Sequence, residues 1–172
     1  MNEFSLEHGK VSKGILSAVG AGLKYMIVPL LIIIFTTALF EQFEGGEILR
    51  EIGVGEVTTW IVIFGIPITI LSFFRGFYPK GSWSRPTFAL VVAFLVILWI
   101  WFVTMGGNLV LQFGQFGLRV SFTGLVLLFI LVAALRGAYF VVEMFSYRRE
   151  WLASVQEPPA TVPPAAPDGG GA

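Results

Sequence analysis

The sequence contains no cysteine and one histidine, His8. The first absence excludes disulfides, thiolate metal sites, iron–sulfur clusters, cysteine nucleophiles and thioester or thioether lipid anchors. The second leaves too few imidazoles for a histidine-rich metal or haem site within one subunit. Charge is scarce too. Charged residues make up 13% of the chain, where a soluble domain carries about 25%. The eleven basic and eleven acidic residues cancel, so nothing electrostatic points to nucleic acid. No metal or cofactor is expected.

What is present is apolar. The chain is 56% hydrophobic, with seventeen Phe and five Trp. Four runs approach the roughly 20 apolar residues that carry a helix across about 30 Å of hydrocarbon. They predict helices over about 25–40, 57–74, 86–105 and 118–147. The expected fold is an all-α integral membrane protein, a bundle of four transmembrane helices over 25–152. A segment over 1–24 precedes it and a Pro-, Ala- and Gly-rich tail over 153–172 follows. The tail has nothing to bury and reads as disordered. Pro29 and Pro67 fall inside the first two runs, where lipid-embedded helices tolerate kinks. The first run starts far from the N-terminus and an acidic loop follows it, unlike a cleaved signal peptide.

Charge placement orients the runs. Lys10, Lys13 and Lys24 precede the first. Arg75, Lys80 and Arg85 separate the second from the third. Arg136, Arg148 and Arg149 end the fourth. Only Arg50 and Arg119 fall on the other side. The positive-inside rule then puts both termini and the middle linker in the cytoplasm, with the cytoplasmic (plasma) membrane as the location.

Arg75-Gly76-Phe77-Tyr78 and Arg136-Gly137-Ala138-Tyr139 end two of the runs. A shift of 61 residues superposes them, and the same shift brings Gly45-Gly46 onto Gly106-Gly107, Gly20 onto Gly81 and Lys24 onto Arg85. The reading is a tandem duplication of one helical hairpin, set against chance convergence of any hairpin that needs turn glycines and boundary arginines. In each copy the Gly pair (Gly45, Gly46; Gly106, Gly107) makes the outer turn. Each Arg and Tyr (Arg75, Tyr78; Arg136, Tyr139) contacts lipid headgroups at the inner boundary. Gly14, Ala18 and Gly22 recur at spacing four, a stripe suited to close helix packing. Residues 10–23 either lengthen the first helix or lie on the membrane surface. Glu143 lies two turns beyond Arg136 on one face and is expected to pair with it.

Other features carry less. Glu41, Glu44, Glu47, Glu51 and Glu56 match no EF-hand spacing and read as a solvated acidic face. Residues 112–117, QFGQFG, read as an interfacial loop rather than a pore filter. Between the predicted boundaries stand threonines and serines but no titratable side chain, which argues against an enzyme or an ion-coupled transporter. The expected role is a non-catalytic scaffold or accessory subunit, or a homo-oligomer. Its partners are membrane lipids, other membrane subunits or its own copies. A small oligomeric channel and an anionic-lipid-binding protein are the alternatives.

The cysteine-free sequence makes the topology directly measurable. Single cysteines from Ser5→Cys and Ala165→Cys are expected to react with an impermeant maleimide from one face of the membrane, and Gly46→Cys from the other. Termini that label from opposite faces mean an odd number of crossings.

Overall fold

A computed structural model describes residues 9–42, 53–113 and 116–156. The first span is one unbroken helical rod in three parts: α1 (Val11–Gly22), a π-helical turn (Leu23–Ile27) and α2 (Val28–Gln42). Residues 10–23 therefore lengthen the first helix. The widened turn sits immediately before Pro29. Proline has no N–H for the carbonyl four residues back, so the ladder loosens there, with the Val28 amide bonding to the Leu23 carbonyl.

α3 (Val54–Phe77) follows, opened by Gly53 at φ +75° and closed by an extended Tyr78 ahead of Pro79. The short linker turns at Gly81, φ +88°. α4 (Ser84–Val103) places Pro86 in its first turn, where an amide has no helical partner anyway. The chain then turns through Met105–Gly107, with Gly106 and Gly107 both at positive φ.

The sequence reading of 108–122 needs correction. Asn108–Phe113 and Phe116–Ser121 form an antiparallel two-stranded ribbon, β1 and β2, in register from Asn108↔Ser121 to Phe113↔Phe116. The residues 118–121, read as the start of the fourth apolar run, belong to β2. The last helix, α5, is Thr123–Gln156. Leu118-Arg119-Val120-Ser121 alternates apolar and polar residues, a period of two that a hydropathy window averages away, while Leu109-Val110-Leu111 is a short apolar run. At 1.5 Å per residue, α5 runs about 50 Å and outreaches any bilayer core.

Four helical stretches are long and apolar enough to cross a membrane: Val11–Phe40, Val54–Phe77, Ser84–Val103 and Thr123–Ala153. Their extensive packing is sequential, first span on α3, α3 on α4, α4 on α5. Ala21, Ile68, Val92 and Val96 form the buried core, with Tyr25, Trp99 and Ala133 packed against it. Trp60, Phe64 and Phe102 stack between α3 and α4, with centroids 4.5 to 5.8 Å apart. Thr58, Thr69 and Thr104 donate hydroxyl bonds back to Val54, Gly65 and Ile100 carbonyls of their own helix.

The small-residue stripe lies in the seam with α3. Gly14 and Gly22 are buried and Ala18 half-buried. A methyl built on Gly14 would come within 2.8 Å of the Phe73 ring, and one on Gly22 within 3.5 Å of Thr69. Gly76 answers from α3. Its added methyl would meet Ser17 Cβ at 2.5 Å and the Lys13 carbonyl at 2.6 Å.

Gly76→Ala is therefore expected to force the seam apart and to lower unfolding stability in detergent by about 1–3 kcal/mol, the usual cost of overpacking. Gly20, with open space around it, is the control. Gly20→Ala is expected to leave the thermal midpoint unchanged or raise it, by up to about 1 kcal/mol of helix propensity.

Candidate functional site

The seam fixes a register, and the register places the charges. The Lys10 amide donates to the Phe77 carbonyl at 3.0 Å, so Lys10, not Lys24, is level with the linker end of α3. Fourteen residues further on, Lys24 and Tyr25 lie beside the far third of α4, where Tyr25 meets the Trp99 ring edge-on at 5.6 Å. Arg136, exposed on α5, is level with the middle of α4. A methyl on the adjacent Gly137 would come within 3.0 Å of Ala93 Cβ, in the middle of α4. Lys24 and Arg136 thus stand part-way along their helices rather than at a helix end.

These two cations and Arg75 line one cavity of about 450 Å³. Its floor is the α4 face from Ala89 to Thr104, and its walls are the first span at Lys24 and Tyr25 and α5 from Phe129 to Phe140. It exists because the first span and α5 flank α4 without packing extensively on each other. The lining is otherwise apolar, apart from the Tyr25 and Thr104 hydroxyls and the Trp99 indole. Thr104 already donates to Ile100 at 2.6 Å. The Trp99 N–H is shielded and has no hydrogen-bond partner among the described residues.

A second hollow, of about 320 Å³, adjoins it toward the linker. Lys13, Ser17, Arg75, Gly76, Lys80, Arg85 and Phe140 line it. Arg75 and Phe140 border both hollows. Arg75 Nη2 donates to Ser17 Oγ at 3.3 Å, and its guanidinium lies 5.4 Å from the Phe140 ring centroid.

The two Arg-Gly-x-Tyr copies have different surroundings. Tyr78 is buried, stacked on Phe88 at 5.6 Å, while Tyr139 is 61% exposed beside Phe140. Arg75 is half-buried and Arg136 exposed. Lys24 lines the cavity, whereas Arg85, its counterpart under the 61-residue shift, ion-pairs at the start of α4. Gly106 and Gly107 do make the turn out of α4. A methyl on Gly107 would strike the Thr123 backbone at 2.7 Å. Gly45 and Gly46 lie outside the described residues.

Glu143 does not pair with Arg136. Its carboxylate, 8% exposed, takes Lys80 at 3.0 Å and Arg85 at 3.3 Å instead. The linker and the first turn of α4 bring these cations to α5, a long-range arrangement that helical spacing within α5 cannot reveal. Arg148 adds a bond to the Gly81 carbonyl at 3.1 Å. Gly81 must be glycine here, because its φ is positive and an added methyl would lie 2.6 Å from the Tyr147 carbonyl. This clasp ties the extension of α5 to the α3–α4 linker. The hydrogen bond from Lys80 to Glu143, then the carboxylate's charge and Tyr147, raise the Lys80 amine above the ordinary lysine range.

Comparison with known protein families, curated proteins and solved structures gives no match.

Glu143→Gln is expected to return the Lys80 amine toward about 10.4, read from its pH-dependent reductive methylation. The same change should expose the α5 extension to proteolysis near Arg148. In the unaltered protein the amine gains its partner on folding. That contribution is complete below the ordinary lysine value and is lost as pH climbs through the raised one. On the alkaline side the Lys80 arm of the clasp therefore weakens only above the ordinary lysine range.

Proposed function

We propose that this chain is a multi-pass protein of the cytoplasmic membrane. Both of its ends and the α3–α4 linker face the cytoplasm. It serves as a non-catalytic subunit that packs laterally against other membrane proteins or against its own copies. The carrying observation is the open helix array. Each helical span packs extensively only on its sequence neighbours, so the first span and α5 each keep a flank free. α2 uses little of its surface, with Leu31, Ile32, Ile34 and Phe35 each about 60% exposed.

The physical argument concerns what holds helices together in lipid. Acyl tails are as apolar as leucine, so closing a bundle gains little hydrophobic energy. Association rests on close approach and on polar groups. Here the small residues serve one internal seam, and cations remain along a cleft that the chain does not close. The cytoplasmic orientation rests on nine of the eleven basic residues falling on one side. A tandem duplication remains the origin proposed for the sequence repeat, with the two copies now packed in different registers.

Extraction directly into polymer-bounded native discs, followed by mass measurement and protein identification, tests the reading. The expected result is a fixed stoichiometry with a second membrane protein or a defined small oligomer. A monomer with no companion overturns it. A closed symmetric ring that conducts ions when reconstituted replaces it with the channel.

A further inference from the structure

We propose that the two adjoining hollows form one binding site for a single anionic phospholipid, its phosphate at Arg75 and an acyl chain in the trough along α4. This rests on the membrane-spanning reading above and is independent of lateral assembly. Three observations carry it: the polarity of the site, its uncompensated charge and its size.

The site is amphipathic along its length. The smaller hollow, toward the linker, is bordered by Lys13, Arg75, Lys80 and Arg85. The larger is bordered mainly by apolar side chains, among them Val92, Val96, Phe129 and Val132. Arg75 and Phe140 stand at the junction, one a phosphate donor and the other an apolar wall. A headgroup and a tail match that division, and a simple inorganic anion matches only half of it.

The charge is unbalanced. Six cations border the two hollows, counting Lys24 and Arg136 with the four above. The one carboxylate ion-paired with any of them among the described residues is Glu143, which already takes Lys80 and Arg85. Arg75, Arg136 and Lys24 have no carboxylate partner among the described residues, and cations in a low-dielectric cleft are costly without a counter-charge. A guanidinium presents its donors in a fork that fits phosphate oxygens. Lys24 and Arg136 have stems long enough to lie along the trough and carry their heads toward the phosphate.

Size favours lipid over a partner helix. A helix with side chains is about 10–12 Å across and would have to part the first span from α5. A cleft of about 450 Å³ falls in the range of small-ligand pockets, about 300–1,000 Å³.

The test is native mass spectrometry of the full chain released from vesicles of equimolar phosphatidylglycerol and phosphatidylcholine. The expected result is one retained phosphatidylglycerol per chain, enriched at least tenfold over phosphatidylcholine. Arg75→Gln with Arg136→Gln is expected to abolish the enrichment, and Arg119→Gln, on β2, to leave it intact. Ala133→Phe fills the trough without removing a cation and is expected to reduce retained lipid at least fivefold. This second route keeps the idea falsifiable if the double variant fails to fold. Enrichment that survives both changes overturns the proposal. Displacement by millimolar inorganic phosphate or glycerol phosphate as effective as by short-chain phosphatidylglycerol overturns the lipid assignment in favour of a free anion. Displacement only by a co-purifying membrane protein assigns the cleft to a helix instead. An alkaline carbonate wash of the same vesicles separates the two levels. Protein that stays in the pellet but retains no lipid sinks the site alone, and protein that washes off sinks the membrane reading with it.

Discussion

Close approach between the first span and α3 governs the rest of the molecule. Gly14 on one side and Gly76 on the other leave no room for a β-carbon, which would strike Phe73 from the first and Ser17 or the Lys13 carbonyl from the second. Two helices that meet over such residues can settle in few registers. The register found sets Lys10 beside Phe77, so every later residue of the first span rides deeper along α3 than its distance from the apolar run suggests. Lys24 consequently lines the cleft next to Tyr25, whose ring meets Trp99. A lysine that looks like a stop signal in one dimension becomes part of a cleft wall in three.

The cleft is a product of sequential packing. Each inner helix packs on the neighbour before it and the neighbour after it, and the first span and α5 do not pack extensively on each other. What remains between them is narrow, apolar along most of its length and cationic toward the linker. Close packing would normally erase such a space, since interiors tolerate few voids larger than a water molecule. Its persistence beside long cationic side chains is the feature on which the ligand proposal turns.

The helical elements were legible in the sequence because length and hydropathy report them directly. Four apolar runs yielded four helices, Gly14 and Gly22 of the small-residue stripe lie buried against α3, and Gly106 and Gly107 take positive φ. The ribbon at 108–121 was not legible, because Leu118 to Val120 continue smoothly into an apolar run and nothing short of the two-residue alternation separates them. The cavity was hidden for a different reason. The 61-residue shift aligns Lys24 with Arg85, and sequence similarity carries no record of how far one helix slides along another. Glu143 was placed on the correct helix face but given a partner on its own helix. The cations that hold it arrive from a linker more than 55 positions earlier in the chain.

The clasp at the linker has a mechanical meaning. Glu143 and Arg148 of α5 hold Lys80, Gly81 and Arg85, so the far end of the last helix and the hinge joining α3 to α4 form one piece. Traction on the carboxyl tail does not simply draw α5 along its own axis. It is delivered to the elbow between two other helices, one of which carries Arg75 a single turn away, so that whatever grips the tail also has a lever on the mouth of the cleft.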